Sequence, residues 1–315
     1  MAFHYRRDNM DYELAIIGAG PAGYSATIYA ARAGVKTLVL EKGVGGGLAA
    51  VSPNIENYAG FESISGMELV EKMKKHAEKY TKINFNEEVK NIKKTGDIFA
   101  IETDRQKYEV KAILICTGAD YRKLNAPGEK ELQGRGVSYC ATCDGFFFKN
   151  KKVAVIGGGN TALVEAIYLK QIGCKEVYLI HRRDQLRAEK AYAEEAREKG
   201  VKIIFNTLID SISGKDKVEY LELRDAKTEK KSKLPVDGVF ISIGEEPQNA
   251  IAKMLDVKLD EKGYVIIDKE GRTNVKGVYA AGDITGGLRQ VVTACAEGAI
   301  AALTSTESIG KKYPY

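Results

Sequence analysis

The sequence predicts an α/β protein with two domains, each built on a parallel β-sheet covered by helices. Three observations lead to this fold class. A strand, a glycine-rich turn, a helix and a second strand follow one another near residue 14 and again near residue 152. The chain has 315 residues, which is enough for two hydrophobic cores. Its 44% hydrophobic residues and 32 glycines are ordinary for α/β proteins.

The first βαβ unit begins with the apolar strand Leu14–Ile17 and the turn GAGPAG at residues 18–23. An alanine-rich helix is expected over Ala22–Ala33, and the strand Thr37–Leu40 then ends at Glu41. Glycines in such a turn let the backbone approach a pyrophosphate at the helix N-terminus. Glu41 lies about 20 residues further on, where a carboxylate accepts a hydrogen bond from a ribose 2′-hydroxyl and repels a 2′-phosphate. This site should therefore hold FAD or NAD and not NADP. Its predicted contacts are Gly18, Gly20, Pro21, Ala22, Gly23 and Glu41.

The second βαβ unit repeats the pattern with a different ending. The strand Lys152–Ile156, the helix Thr161–Ile172 and the strand Glu176–Ile180 surround the turn GGGNTA at residues 157–162. No carboxylate follows the second strand, and three arginines stand there instead. Guanidinium groups bind phosphate through two parallel hydrogen bonds, so these arginines predict an NADP 2′-phosphate site. The predicted contacts are Gly157, Gly159, Asn160, Thr161, Ala162, His181, Arg182, Arg183 and Arg187.

Between and after these units, the pattern predicts smaller elements and a discontinuous first domain. Alternating segments near residues 99–110 and 218–236 indicate β-ribbons inserted late in each domain. Val275–Asp283 is expected to be a strand and Gln290–Ser305 a helix of small residues. We therefore expect two Rossmann-like three-layer dinucleotide-binding domains, the second inserted into the first. The first, discontinuous domain is assigned to residues 1–120 and 246–315, and the second domain to residues 121–245. Leu124–Gly136 and Ile243–Pro247 are candidate hinges.

Cys140 and Cys143 form a Cys-x-x-Cys pair in the run CATCDGFFF. A structural zinc site needs four ligands in paired spacing, and no second pair exists, so no metal is expected. A dithiol that cycles with a disulfide fits better, because one thiolate attacks and the other resolves. Asp144 is the nearest group that could pass protons to the thiols, although it could also cap a turn. Phe146–Phe148 reads as core more than as a docking surface, and the cysteines at 116, 174 and 295 read as buried small hydrophobes.

Charge and composition exclude several classes of protein. The 48 basic and 43 acidic residues are well mixed, whereas a nucleic-acid-binding protein concentrates basic residues in a patch. No apolar run reaches about 18 residues, and the first residues lack the apolar core of a signal peptide. Five cysteines in this arrangement do not resemble a secreted disulfide framework, so a cytoplasmic location is expected.

With these motifs in place, the chain resembles the low-molecular-weight thioredoxin reductases from about Tyr12 to Thr304. The matching blocks are GAGPAG, IENYAGF, ICTGA, RGVSYCATCDGFF, VIGGGNTA, LIHRRDQLRAEK, VYAAGD and RQVVTACAEG. The resemblance implies FAD in the first domain, NADPH in the second, a homodimer, and thioredoxin or a thioredoxin-like protein (a glutaredoxin-like one included) as partner. It also implies that Cys143 lies against the flavin, that Cys140 attacks thioredoxin, and that Asp144 donates the proton. Around the flavin it places Gly47, Leu48, Asn57, Thr117, Gly118, Gly282, Asp283, Arg289, Gln290 and Val291.

Three positions depart from the family pattern. Leu48 stands where many members have Gln, Ala59 replaces a usual Pro, and Cys116 replaces Ala. None of these changes removes a reacting group. Both the disulfide and the nicotinamide must reach one flavin, so we expect the NADPH domain to rotate between half-reactions. The resemblance implies hinges near Ala119–Tyr121 and Ile243–Glu246.

Three alternatives remain open on the sequence. The first is a disulfide reductase of the same fold that receives electrons from ferredoxin or another flavin cofactor, which would have no use for the arginines. The second is a redox-sensing flavoprotein that does not turn over. The third is a flavin-dependent ferredoxin–NADP reductase, which needs no Cys-x-x-Cys pair.

Overall fold

The computed structural model describes residues 11–52 and 54–311. The chain divides into two compact units. Unit 1 combines the residues up to Asp120 with those from Glu246 onward, and unit 2 is Tyr121–Glu245. The turn-rich segment 124–136, a candidate hinge on the sequence, lies inside unit 2.

Unit 1 is built on a five-stranded parallel sheet in the order β18-β7-β1-β2-β3. Its strands have the bounds β1 Leu14–Ile17, β2 Thr37–Leu40, β3 Ile83–Asn84, β7 Ala112–Ile115 and β18 Val278–Ala280. Its helices are α1 Pro21–Arg32, α2 Gly66–Glu78, α6 Ala250–Met254, α7 Val291–Thr304 and α8 Thr306–Ile309. Unit 1 also has a three-stranded antiparallel ribbon, which consists of β4 Val89–Thr95, β5 Ile98–Thr103 and β6 Lys107–Val110. Strands β1, β2 and β7 are fully buried, as expected where layers cover both faces of a parallel sheet.

Close packing of α1 against α7 depends on small residues. A Cβ at Gly298 would lie 2.2 Å from the carbonyl oxygen of Ala22, so only glycine fits there. The hydroxyl of Ser25 donates to the carbonyl oxygen of Cys295 at 2.6 Å. The helix of small residues expected over 290–305 is therefore the partner that holds the first glycine turn in place.

Unit 2 repeats the architecture with a parallel sheet in the order β12-β11-β10-β16-β9. Its strands are β9 Val137–Ser138, β10 Lys152–Gly157, β11 Glu176–Ile180, β12 Lys202–Ile204 and β16 Gly238–Ser242. Its helices are α3 Ala141–Asp144, α4 Asn160–Gln171 and α5 Lys190–Glu198. The antiparallel ribbon consists of β13 Thr207–Ser213, β14 Tyr220–Asp225 and β15 Lys231–Pro235. The segments at the unit boundaries, β8 Ala119–Tyr121 and β17 Glu245–Pro247, form a two-stranded sheet.

The predicted fold class is confirmed, down to the two β-ribbons. The expected strand Val275–Asp283 is shorter than predicted, because only Val278–Ala280 is extended in the sheet. Gly282 adopts a positive φ of 82°, and its N–H donates to the carboxylate of Glu297 at 2.8 Å, which turns the chain away from the sheet. Among the described residues, no helix is both long and apolar enough to cross a membrane.

Candidate functional site

The first glycine turn joins β1 to α1, and two of its three glycines are required by close contacts. Gly18 has a φ of +108°, and a Cβ there would lie 2.3 Å from the carbonyl oxygen of Cys116. A Cβ at Gly23 would lie 1.9 Å from the carbonyl oxygen of Gly18. Next to Gly20 the nearest atom is the Cα of Gly47, 3.9 Å from a Cβ built there. The turn therefore packs tightly on its inner side and keeps room on the side of Gly20.

Glu41, at the end of β2, is fastened to this turn through backbone donors. Its Oε2 accepts the N–H of Ala19 at 2.8 Å, and its Oε1 accepts the N–H of Gly43 at 2.7 Å. Each carboxylate oxygen has a second lone pair. The group is thus oriented by the fold and can still accept a hydrogen bond from a ribose hydroxyl.

The other predicted flavin contacts lie mostly where neighbouring strands end. Thr117 and Gly118 follow β7, and Gly282 and Asp283 follow β18, next to the turn after β1. The ends of parallel strands meet at one sheet edge, which is where nucleotides bind in this class of fold.

Side-chain contacts fix the remaining members of this set. Asn57 donates to the side chain of Gln290 at 2.9 Å, and Gln290 caps α7 immediately before Val291. Arg289 donates to the hydroxyl of Tyr264 at 3.2 Å. Gly47 and Leu48 begin a short 3-10 helix that runs to Val51.

Glu297 is a member of this site that the sequence reasoning missed. Besides the N–H of Gly282, its carboxylate accepts the hydroxyl of Thr285 at 3.2 Å. The signal that could have found it is the single acid in the small-residue helix ACAEG.

The second glycine turn joins β10 to α4 and is shaped by His181. A Cβ at Gly158 would lie 2.2 Å from Nδ1 of His181, so the imidazole occupies that space. Nδ1 lies 3.0 Å from the carbonyl oxygen of Gly157, which can only accept, so Nδ1 carries the hydrogen. Burial lowers the pKa of His181, and the charges of Arg187 and Arg183 lower it further. The imidazole is therefore neutral at pH 7.

The three predicted arginines are exposed beside this turn. Arg182 and Arg183 follow His181 directly, and the N–H of Arg187 donates to the carbonyl oxygen of Gly158 at 2.8 Å. That bond brings the arginine loop back onto the glycine turn. Asn160 and Glu189 bind each other reciprocally, with Nδ2 to Oε1 at 2.7 Å and N–H to Oδ1 at 2.9 Å. Glu189 is thus a second residue of the site that the sequence reasoning missed.

Unit 2 also carries a disulfide between Cys140 and Cys143. Cys140 precedes α3, and its Sγ accepts the N–H of Cys143 at 3.2 Å. The hydroxyl of Thr142 lies 3.4 Å from the same sulfur. Hydrogen-bond donors stabilise a thiolate, so this sulfur is prepared to carry negative charge once the disulfide is reduced.

Comparison with known proteins decides the family. The family "Pyridine nucleotide-disulphide oxidoreductase" matches residues 12–298. The thioredoxin reductase of Treponema pallidum is 44% identical over 295 residues, which are 93% of this chain and 95% of that protein. The chain belongs to the pyridine nucleotide-disulphide oxidoreductases. Within that family, it is similar to thioredoxin reductases over nearly its whole length.

Solved structures of this family show the same fold. Thioredoxin reductase from Streptococcus pyogenes superposes with a TM-score of 0.91 at 39% identity, over 96% of this chain and 99% of that one. Thioredoxin reductase from T. acidophilum gives a TM-score of 0.64 at 42% identity, over 96% of this chain and 100% of that one.

Both glycine turns fit the dinucleotides that this oxidoreductase family uses. A Cβ at Gly159 would meet no atom within 4 Å among the described residues, so the second turn is open where a pyrophosphate approaches. Ala162 takes the third position in place of glycine, and its Cβ requires a glycine at 157, since a Cβ there would lie only 2.6 Å away. The acid at the first turn suits an unphosphorylated ribose and the arginines at the second suit a 2′-phosphate.

Asp144 lies at the end of α3, directly after the disulfide. Its Oδ2 accepts the hydroxyl of Ser138 at 2.6 Å. Its Oδ1 is buried and has no hydrogen-bond partner within residues 11–52 and 54–311. Burial raises the pKa of Asp144, while the bond from Ser138 acts in the opposite direction. A carboxyl in this setting keeps its proton to a higher pH than a free aspartate does.

Two expectations about aromatic and cysteine side chains need correction. Phe146 is 61% exposed, so the aromatic run does not lie in the core as a whole, although Phe148 packs edge-on against buried Phe240. Cys116 and Cys174 are buried and free, but Cys295 is only partly buried. In the part of the chain that is described, no three His, Cys, Asp or Glu side chains are grouped as a metal site requires.

Proposed function

We propose that this protein is an NADPH-dependent thioredoxin reductase that delivers electrons to the disulfide of thioredoxin or a thioredoxin-like protein. The observation that carries the proposal is the combination, in unit 2, of the Cys140–Cys143 disulfide with a glycine turn flanked by arginines. Its cofactors are FAD and NADPH. When bound, FAD would supply the two-electron chemistry that links NADPH to the disulfide.

The two units divide the binding of the cofactors. Unit 1 is proposed to bind FAD, with the Gly18–Gly23 turn against the pyrophosphate and Glu41 on the ribose. Unit 2 is proposed to bind NADPH, with the Gly157–Ala162 turn against the pyrophosphate and Arg182, Arg183 and Arg187 around the 2′-phosphate. These contacts position the cofactors. The carboxylate at one ribose and the cations at the other prevent each site from binding the other site's cofactor.

The cysteines and Asp144 perform the chemistry that belongs to the chain. Cys140 is proposed as the attacking thiolate, because the N–H of Cys143 and the hydroxyl of Thr142 surround its sulfur. Cys143 resolves the mixed disulfide, and Asp144 donates a proton to a leaving thiolate. Burial raises the pKa of Asp144, which favours the protonated form that a proton donor needs.

Turnover is proposed to include a rotation of unit 2. Both its disulfide and its nucleotide turn must serve the flavin of unit 1, and reacting atoms must come within about 3–3.5 Å of each other. The chain passes between the units at residues 120–121 and 245–246, and two such crossings can serve as hinges. A covalent tether engineered between the units should block turnover yet spare one half-reaction. Full activity of the tethered protein would exclude the rotation.

The direct test is NADPH oxidation with the host's own thioredoxin and other small redox proteins as disulfide substrates. We expect turnover with at least one thioredoxin-like protein and none in the variants Cys140→Ser and Cys143→Ser. Disulfide reduction driven by reduced ferredoxin, with no response to NADPH, would favour the first alternative instead. We also propose that the protein is a cytoplasmic homodimer. Light scattering of the purified protein measures its mass and so tests whether it is a dimer.

A further inference from the structure

The hydroxyl of Ser138 connects the backbone of the disulfide loop to the carboxyl of Asp144. Ser138 ends β9, two residues before Cys140, and is 5% exposed. Its Oγ lies 2.6 Å from Oδ2 of Asp144 and 3.1 Å from the backbone nitrogen of Cys140. The carbonyl oxygen of Cys140 is further away, at 3.4 Å. One buried hydroxyl thus contacts both the first cysteine and the proposed acid.

The direction of these hydrogen bonds follows from the donors available. The N–H of Cys140 can only donate, so it uses a lone pair of the Ser138 oxygen. The single hydroxyl hydrogen then points to the nearer acceptor, Oδ2 of Asp144, since 2.6 Å is a normal O–H···O distance and 3.4 Å is too long. Oδ2 is therefore an acceptor in either protonation state of the carboxyl.

We propose that Ser138 is a positioning residue that keeps the transferable proton of Asp144 on Oδ1. The inference rests on the proposed function, in which Asp144 is the acid. Oδ1 is the oxygen that is buried and without a hydrogen-bond partner among residues 11–52 and 54–311. A proton on Oδ2 would face the Ser138 hydroxyl hydrogen, whereas a proton on Oδ1 meets no competing donor or acceptor.

The reaction step balances with the groups already named. Two electrons break the Cys140–Cys143 bond and leave two thiolates. One proton moves from Oδ1 of Asp144 to one of these sulfurs, which yields one thiol, one thiolate and the aspartate anion. Ser138 then stabilises the anion through Oδ2, so the same hydroxyl orients the acid and lowers the cost of its ionisation.

The test compares Ser138→Ala, Ser138→Thr and Asp144→Asn in the FAD-loaded protein. The matched control is Ser211→Ala, because Ser211 also donates to a carboxylate of unit 2, Glu222, at 3.1 Å. We expect Ser138→Ala to slow reduction of a protein disulfide roughly tenfold, as a misoriented general acid would. Threonine keeps the hydroxyl and should restore the rate. The control should behave as wild type.

A second readout separates positioning from a merely structural role. Loss of the hydroxyl removes a bond to the carboxylate, so the pKa of Asp144 should rise in Ser138→Ala. The pH profile of disulfide reduction should shift to higher pH, and so should the midpoint of the carboxylic acid C=O band in infrared titration, identified by its loss in Asp144→Asn. In the double variant Ser138→Ala/Asp144→Asn, the serine change should have no further effect on the rate.

The outcomes distinguish this inference from the proposed function. If Asp144→Asn reduces protein disulfides at the wild-type rate, the proposed acid is wrong and the inference falls with it. If Asp144→Asn is impaired but Ser138→Ala shows the wild-type rate and infrared midpoint, only the inference is overturned. An equal loss from the serine change with and without Asp144 would also overturn it, because Ser138 would then act through the loop alone.

Discussion

Both glycine turns connect a strand to a helix. The residue that follows the second strand is a hydrogen-bond acceptor in unit 1 and a hydrogen-bond donor in unit 2. In unit 1 that position is Glu41, which accepts an N–H from the turn at Ala19. In unit 2 it is His181, whose ring nitrogen lies against a carbonyl oxygen of the turn at Gly157. In each unit, the residue that follows the second strand is therefore tied to the glycine turn.

The comparison also explains a difference within the turns. Unit 1 has Ala19 as the second residue of its turn, while unit 2 has Gly158 at that position. The side chain of Ala19 is buried without conflict, because Glu41 reaches the backbone N–H. A side chain at Gly158 would overlap His181. The extra glycine is thus a consequence of the histidine.

The largest expected effect comes from removing the cations that distinguish the second turn. Each hydrogen bond to a charged group contributes about 1.5–3 kcal/mol, so the double variant Arg182→Ala/Arg187→Ala should bind NADPH about 10²–10⁴-fold more weakly. NADH kinetics should change little. The measurement is kcat/KM for both nucleotides, with the exposed Arg197→Ala on α5 as control. An unchanged ratio of kcat/KM for NADPH to kcat/KM for NADH would contradict the assignment of these arginines to the 2′-phosphate.

At the first turn, Glu41→Ala should weaken FAD retention. The change removes the proposed ribose contact and leaves the N–H groups of Ala19 and Gly43 without their acceptor. Charged hydrogen bonds of this kind predict a loss of affinity of about 10²-fold or more. Flavin released on gel filtration measures it, with the exposed Glu62→Gln as control. Tight flavin binding by Glu41→Ala would mean that the carboxylate does not hold the ribose.

A smaller effect is expected on the free energy of unfolding, and it should differ between the two glycine turns. Gly158→Ala forces a Cβ into His181, and overpacking of this kind costs about 1–3 kcal/mol. The reverse change at the equivalent position, Ala19→Gly, should cost less than about 1 kcal/mol. Urea unfolding gives both values. The double variant Gly158→Ala/His181→Ala should recover part of the loss, and no recovery would show that the histidine is not the cause.

The smallest effect concerns the buried carboxyl of Asp144. Its pKa is raised in the folded state, so the unfolded chain releases this proton first as pH rises. The protonated carboxyl therefore contributes to the free energy of unfolding below pH 3.8, the pKa of a free aspartate. This contribution is lost as pH rises through the folded-state pKa. Asp144→Asn should gain stability relative to wild type between acid and neutral pH. Parallel pH dependences of the two unfolding midpoints would contradict the burial argument.

Most of the βαβ framework could be predicted from the sequence, because charged residues and glycines mark the ends of its apolar strands. Thr37–Leu40 and Glu176–Ile180 have the predicted bounds. The strand before Asp283 was overestimated, since its end depends on the bond between Gly282 and Glu297, 15 residues apart. Ser138 escaped notice for a related reason. A serine in VSYC has no special pattern, and only the fold brings its hydroxyl to Asp144.

An anaerobic titration with NADPH tests the central claim most directly, that one chain joins a phosphate-selecting turn, a flavin turn and a dithiol in one path for electrons. The disulfide takes up two electrons in addition to those taken up by FAD. Wild type should therefore consume about two equivalents of NADPH per FAD, and Cys140→Ser/Cys143→Ser about one. Equal consumption by both proteins would contradict the account, because the disulfide would then lie outside the path.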